Sequence, residues 1–284
     1  ALAVLESQDI VHGPLEVITT TNEEDGMSGA AQLSKDILKG RKVINLDSED
    51  YDTITTGAAG ACLQFHRIPM KRKPALEDRS CYRILIEGGL GGHSGVDINK
   101  GRCSAVIATW AILAAIYNEY TIHLASINLG EANASIASSA EIIICVPSGE
   151  ACEFVKSQQE MMNEWLREEY PQDPKMTCTI EKCEPLDSVI STEAFELLMS
   201  CLELIPQGVV QMSDVMPGTV ETSNNVGRIT TEEDHIFVST HTRSFVDDDM
   251  ATLSKQIADI FQQRGAESEI SRSEERRVGK ECRS

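Results

Sequence analysis

The sequence has no uninterrupted apolar run long enough to cross a bilayer. The longest apolar-leaning stretch, residues 105–117, is shorter than the about 20 residues that a membrane span needs. Basic residues are also scarce, because 25 Lys and Arg stand against 45 Asp and Glu and leave a net charge of −20. A surface of that charge repels phosphate backbones. The composition therefore predicts a protein that binds neither membranes nor nucleic acids.

Paired cysteine motifs are absent as well. The nine cysteines are odd in number, scattered along the chain and never arranged as Cys-x-x-Cys. This distribution is typical of reduced thiols in a cytoplasmic protein rather than of a disulfide framework. The spacing also excludes a zinc finger. We therefore expect a cytoplasmic protein without structural disulfides.

The first part of the chain is predicted to be α/β. Residues 15–21 and 42–46 have the composition of strands, and a helix is expected at about 29–38. A glycine-rich turn at 57–60 and a basic, proline-containing linker at 70–77 follow. These signals predict one partial domain over residues 1–74.

The rest of the chain is predicted to be an α+β domain, residues 75–268, built from two related units. Each unit has the order strand, helix, strand, strand, helix. The first is expected at 82–87, 101–118, 121–128, 140–146 and 149–169. The second is expected at 176–182, 192–204, 220–229, 235–243 and 248–264. Residues 269–284 continue neither pattern, and we expect a non-native tail there.

Carboxylates follow both predicted strands of the first part. Glu23 and Glu24 lie in the turn after residues 15–21, and Asp47 directly follows residues 42–46. Open α/β sheets place ligands at such strand ends, and carboxylate oxygens bind divalent metals. These acids therefore suggest a metal site, the alternative being solvated acidic loops.

A glycine-rich loop at 88–97 carries His93 between glycines. Glycines let the backbone approach a ligand closely, and a histidine there could donate a hydrogen bond to a developing oxyanion. The alternative is a surface turn with an exposed histidine.

Asn225 and Arg243 lie on neighbouring predicted strands. An arginine binds a carboxylate through two parallel hydrogen bonds, so the pair fits the anchoring of a peptide carboxylate and carbonyl. Polar residues on a sheet surface are the alternative.

Together these segments resemble the aminoacyl-histidine (Xaa-His) dipeptidases, which are carnosinase-like dinuclear zinc peptidases. The resemblance covers about residues 1–268, and the glycine–histidine loop is its most specific part. The matching motifs are HGPLEV at 12–17, EEDGM at 23–27, LDSE at 46–49, GGHSGVD at 91–97 and VETS at 220–223.

The resemblance implies a fold and a set of roles. It implies part of a zinc-exopeptidase catalytic domain followed by an inserted lid, which also forms a homodimer. Glu23 resembles the general base, Glu24 and Asp47 resemble ligands of two zinc ions, or of other divalent metals, and His93 resembles the histidine that polarises the scissile carbonyl. Asn225 and Arg243 resemble substrate-anchoring residues of the lid. The implied substrate is a small peptide.

The sequence departs from the family pattern in two respects. The family's remaining metal ligands lie outside residues 1–284, so this chain is expected to be an internal fragment that is inactive alone. The stretch 133–137 also lacks the proline usual in the family. Two alternatives stay open, an N-acyl amino acid amidohydrolase of the same clan and a non-catalytic dimerisation module.

Overall fold

The computed structural model describes residues 2–21, 28–34, 36–46 and 58–271. The chain divides into two compact units, Ala1–Thr56 and Gly57–Ser284. No helix within the described ranges is both long and apolar enough to traverse a bilayer.

Among its described residues, the smaller unit contains two short helices, α1 (Leu2–Glu6) and α2 (Ser28–Ala31). The strands predicted at 15–21 and 42–46 are not formed, and the helix predicted at 29–38 is reduced to α2. A strand needs a neighbour to accept its backbone hydrogen bonds, and no described residue of this unit pairs with another strand. No described residue here is buried, and Val11 and Ile44 are 101% and 83% exposed.

The larger unit contains four long helices and thirteen strands among its described residues. The helices are α3 (Ala105–Glu119), α4 (Glu150–Glu169), α5 (Thr192–Leu204) and α6 (Asp247–Gln262). The strands are β1 (Gly60–Pro69), β2 (Arg72–Pro74), β3 (Arg79–Glu87), β4 (Gly92–His93), β5 (His123–Leu129), β6 (Ser135–Ile136), β7 (Ala140–Pro147), β8 (Thr177–Cys183), β9 (Ser188–Ile190), β10 (Gly208–Met212), β11 (Val220–Thr231), β12 (His235–Ser244) and β13 (Glu267–Ser271).

Nine of these strands form one antiparallel sheet. Its order is β13-β1-β12-β11-β5-β7-β3-β8, and β10 pairs with β11. β4 pairs with β6, and β2 pairs with β9, in two small separate sheets. The mixed α/β class with a large sheet agrees with the prediction.

The two halves of the sheet repeat the same order of elements. In one half, β3 lies between β7 and β8, and in the other β1 lies between β12 and β13. The halves meet where β5 pairs with β11, Leu129 lying opposite Ile229. The strand pairing therefore repeats between the two halves of the sheet.

The assignment of one strand to the second half was wrong. The strand predicted at 176–182 is β8, and it pairs with β3 of the first half. Its place in the second half is taken by β1, which lies between the turn predicted at 57–60 and the linker predicted at 70–77. The division between the units falls after Thr56, earlier than the boundary predicted at residue 74, because β1 belongs to the large sheet.

The helices cover one face of this sheet. Buried residues alternate along the strands, and those of β3, Tyr82, Ile84 and Ile86, join one core cluster with the buried sides of α3 to α6. Burying this apolar surface stabilises the fold by about 25 cal/mol per Å². The side chain of Ser104 caps α3 by accepting a hydrogen bond from the Val106 N–H.

A disulfide joins Cys81 of β3 to Cys145 of β7. The two residues lie directly opposite each other in the register of these strands, although 64 residues separate them in sequence. This bond corrects the expectation that all thiols are reduced, because scattered cysteines do not reveal which strands will be neighbours. The other cysteines of the described ranges are free.

We expect limited proteolysis to separate the two units. A protease that cleaves before exposed apolar residues, such as thermolysin, should cut near Val43 and Ile44, because the smaller unit buries no described residue. The resistant product should retain β1, whose ten residues pair with β12. Mass spectrometry identifies the new N-terminus. A product that begins beyond residue 74 would show that β1 is not part of the stable sheet.

His66 is a buried histidine of β1. Its Nδ1 lies 2.8 Å from Ser268 Oγ, its Nε2 lies 3.1 Å from Thr240 Oγ1, and its ring stacks on Phe261. Burial lowers its pKa from 6.5 to about 3. The folded state therefore keeps this imidazole neutral under conditions in which the unfolded chain binds a proton.

This histidine should make the larger unit less stable in acid. The contribution of neutral His66 to the free energy of unfolding is complete above pH 6.5. It is lost as the pH falls towards 3, by about 1.4 kcal/mol per pH unit. Replacing His66 with glutamine should remove that part of the slope. Urea unfolding between about pH 7 and 5 tests this, followed by the fluorescence of Trp110 and Trp165 of the larger unit. Exposed His12, changed to glutamine, is the control, and an unchanged slope in His66→Gln would contradict the prediction.

Candidate functional site

The glycine-rich loop is held above the second half of the sheet by β4 and β6. His93 lies opposite Ser135 in this two-stranded pair. Asp97 fixes the loop, since its Oδ2 accepts a hydrogen bond from the His93 N–H at 2.8 Å. Its Oδ1 lies 2.6 Å from Lys100 Nζ. These two hydrogen bonds, Lys100 contributing more, lower the pKa of Asp97, which stays ionised.

Two glycines of the loop cannot be replaced without disturbance. Gly92 has a φ of 123°, and a Cβ there would overlap Arg102 Nη1 and Asp97 Oδ2. At Gly95 a Cβ would lie 3.1 Å from His93 Cε1 and 3.3 Å from Arg243 Cδ. The absence of a side chain at Gly95 thus lets the loop close around both His93 and Arg243.

The loop also selects the tautomer of His93. The N–H groups of Gly95 and Val96 both lie 3.2 Å from His93 Nδ1 and donate to it. A ring nitrogen that accepts two hydrogen bonds carries no proton, so the neutral ring carries its proton on Nε2. The exposed side of His93 is therefore a hydrogen-bond donor.

Arg243 of β12 lies beside that donor. Its Nη2 is 3.4 Å from His93 Nε2. Since an arginine nitrogen only donates and this Nε2 carries a proton, the two groups do not bond each other but can converge on one acceptor oxygen. The residues are 150 positions apart in sequence, and the fold brings these two predicted site residues together.

Asn225 of β11 shares this face of the sheet. Asn225 pairs with His241, and Ser223 pairs with Arg243, so their side chains point to the same side. Its Nδ2 donates to the Ser135 carbonyl at 2.8 Å, and its Oδ1 accepts from Gln207 at 3.3 Å. With 1% of its surface exposed, Asn225 holds the β6 segment that pairs with His93. Its predicted contact with substrate stays a prediction.

Several buried polar atoms around this pair lack a hydrogen-bond partner among the described residues. They are Ser94 Oγ, Asn133 Oδ1 and His241 Nδ1. Buried polar atoms are nearly always hydrogen-bonded, so each of these three atoms is a candidate partner for a ligand or a water. Sequence reasoning missed Ser94 and His241. It noted the 133–137 stretch only as a departure, because a polar residue in a strand or loop signals no burial.

The sequence predicts three acidic site residues in the first part of the chain. Glu23, Glu24 and Asp47 fall outside the described residues. Within residues 2–21, 28–34, 36–46 and 58–271 no group of three or more His, Cys, Asp or Glu side chains could hold a metal ion.

Two donors that converge in this way suit an acceptor oxygen, such as that of a carbonyl or carboxylate group. Comparison with known proteins identifies the family of this chain. The sequence is 30% identical over 275 residues to the cytosol non-specific dipeptidase of Escherichia coli (strain K12), across 95% of this chain and 56% of that protein. No family model matches the sequence of this chain.

The structure is similar to the aminoacylhistidine dipeptidase from Vibrio alginolyticus. The TM-score is 0.81 at 31% identity, over 95% of this chain and 55% of that one. This chain thus spans about half the length of the relatives it matches. The chain belongs to the Xaa-His dipeptidase family, whose members named here are hydrolases that act on peptide bonds.

Proposed function

We propose that this chain forms the substrate-binding lid, and part of the catalytic domain, of a dipeptidase that hydrolyses Xaa-His dipeptides. The observation that carries the proposal is the 3.4 Å approach of His93 Nε2 to Arg243 Nη2. Two converging donors suit a peptide, which offers carbonyl and carboxylate oxygens, better than an apolar ligand. The family relationship supports the reaction type.

In this proposal the two donors serve adjacent groups of one substrate. His93 Nε2–H donates to the oxygen of the scissile carbonyl and stabilises the negative charge that develops on it. The guanidinium of Arg243 binds the terminal carboxylate, one residue away in a dipeptide. Asn225 and Asp97 position the segments that carry these donors.

The acids of the first part complete the proposal. Glu23 takes a proton from the attacking water and returns it to the leaving amine. Glu24 and Asp47 would hold zinc or another divalent metal, which supplies Lewis acidity and activates water when bound. Two carboxylates are fewer than the three protein ligands typical of catalytic zinc. We therefore propose that this chain alone has no turnover.

The working enzyme is proposed to be a cytoplasmic homodimer assembled through the lid. The family resemblance implies a histidine delivered across such a dimer, and in this proposal His93 donates to the substrate of a second subunit. The predicted division, with residues 1–74 assigned to the catalytic domain and 75–268 to the lid, is adjusted so that β1 belongs to the lid.

The proposal is tested by comparing this chain with the protein encoded by the complete reading frame. The complete protein should hydrolyse alanyl-histidine, lose that activity on dialysis against a chelator and regain it with zinc. This chain should show none. Dipeptide hydrolysis by this chain with stoichiometric metal would contradict the proposed incomplete site, and chelator-resistant turnover by the complete protein would contradict metal dependence.

A further inference from the structure

His241 is a buried histidine in the floor of the site. It lies on β12 between Asn225 of β11 and Leu63 of β1, and only 7% of its surface is exposed. Because residues two apart on a strand point to the same side, His241 lies next to Arg243. The loop that carries His93 covers this part of the sheet, since Asn225 is hydrogen-bonded to its partner segment at Ser135.

Its imidazole takes no part in the hydrogen bonds formed within the described part of the chain. Nδ1 is sealed from solvent without a partner, while Nε2 is not among the sealed atoms. The other buried histidine of this half, His66, has partners on both nitrogens. A buried polar atom without a partner costs stability, which an apolar side chain of similar size would avoid. Because this histidine lies beside Arg243 and His93, its unpartnered polar edge is placed to contact a ligand that binds there.

The surroundings of His241 keep it neutral. Burial and the neighbouring Arg243 and His93 lower its pKa to about 3. A neutral imidazole adds no positive charge beside the guanidinium, yet it offers an N–H or a lone pair at Nε2. It can therefore stand close to Arg243 and still donate to an anion that Arg243 attracts.

We propose that His241 completes the carboxylate-binding site, donating from Nε2 to the terminal carboxylate of a peptide held by Arg243. The inference rests on the proposed function only in assigning that carboxylate to Arg243. His241 is thereby a specificity-determining residue, which favours peptides with a free C-terminus over their amides. The class of ligand is a short peptide with a terminal carboxylate.

The test uses this chain and two probes, alanyl-histidine and its C-terminal amide, titrated into ¹⁵N-labelled protein by NMR. His241→Phe keeps the ring shape and removes both nitrogens, and His241→Gln restores a donor. His123→Phe is the matched control, because His123 is also a histidine with a sealed, unpartnered nitrogen, but on β5 in the other half. Amide spectra report whether each variant is folded.

We expect His241→Phe to weaken binding of the free acid about tenfold, equivalent to about 1.4 kcal/mol. His241→Gln should recover part of the loss, and neither change should affect the amide. His123→Phe should bind both probes as the wild type does. Equal loss for acid and amide, no loss in a folded His241→Phe chain, or no binding by the wild-type chain up to the solubility limit of the peptide would each overturn the proposal. The proposed function is judged separately, by turnover of the complete protein.

Discussion

Replacing His93 with alanine in the protein from the complete reading frame is expected to lower kcat by about 10²–10³-fold, the effect of removing one oxyanion donor. KM should change little, since the interaction strengthens only as charge develops on the carbonyl oxygen. Steady-state kinetics with alanyl-histidine measures both constants. Metal content should stay unchanged, because His93 is engaged with the Gly95 and Val96 amides rather than with a ligand set.

Two further variants separate the donor from the loop that carries it. Val96→Ala alters an exposed side chain of the same loop and should retain wild-type kcat. His93→Gln offers a donor of similar reach and should retain more activity than His93→Ala. If Val96→Ala were as impaired as His93→Ala, the effect would belong to loop structure and the role of His93 as an oxyanion donor would be refuted.

Replacing Glu23 with glutamine is expected to lower kcat by about 10²–10⁴-fold, the usual contribution of a general base. Glutamine preserves the size of the side chain but cannot accept the proton of the attacking water. Bound zinc should be nearly unchanged in Glu23→Gln and reduced in Glu24→Ala, as measured by metal analysis. Zinc loss in the first variant and none in the second would reverse the two roles.

The variants His93→Ala and Glu23→Gln together test whether His93 is delivered across a dimer. Heterodimers of one His93→Ala subunit and one Glu23→Gln subunit contain one site that has both an intact base and an intact histidine if the histidine crosses between subunits. Such mixtures should regain part of the wild-type activity. Verified heterodimers without any recovery would show that each subunit uses its own histidine.

The helices could be predicted because their apolar residues follow the helical period. Phe195, Leu198 and Met199 are buried on one side of α5, which forms over the predicted residues. β1 was not predicted because the polar residues in its middle face the core and the apolar residues between them face outwards, the reverse of the usual pattern. Gln64 and His66 face the helices and are fully buried, while apolar Leu63 and Phe65 are only partly buried.

The candidate site could be predicted only in part. The glycines around His93 indicate an unusual backbone conformation. The family motif indicates that the histidine polarises the scissile carbonyl. The approach of Arg243 to His93 depends on the pairing of distant strands, which local sequence does not specify. His241 was missed for the same reason, since its burial and lack of partners follow from the loop that covers β11 and β12.

The most direct test of the central claim compares two substrates of the complete protein, alanyl-histidine and N-acetyl-histidine. Both offer a carbonyl for His93 and a carboxylate for Arg243, but only the dipeptide has a free amino group. A member of the Xaa-His dipeptidase family should cleave the dipeptide with the higher kcat/KM, and Arg243→Gln should reduce that value. Preferential cleavage of N-acetyl-histidine would contradict the claim and identify an N-acyl amino acid amidohydrolase instead.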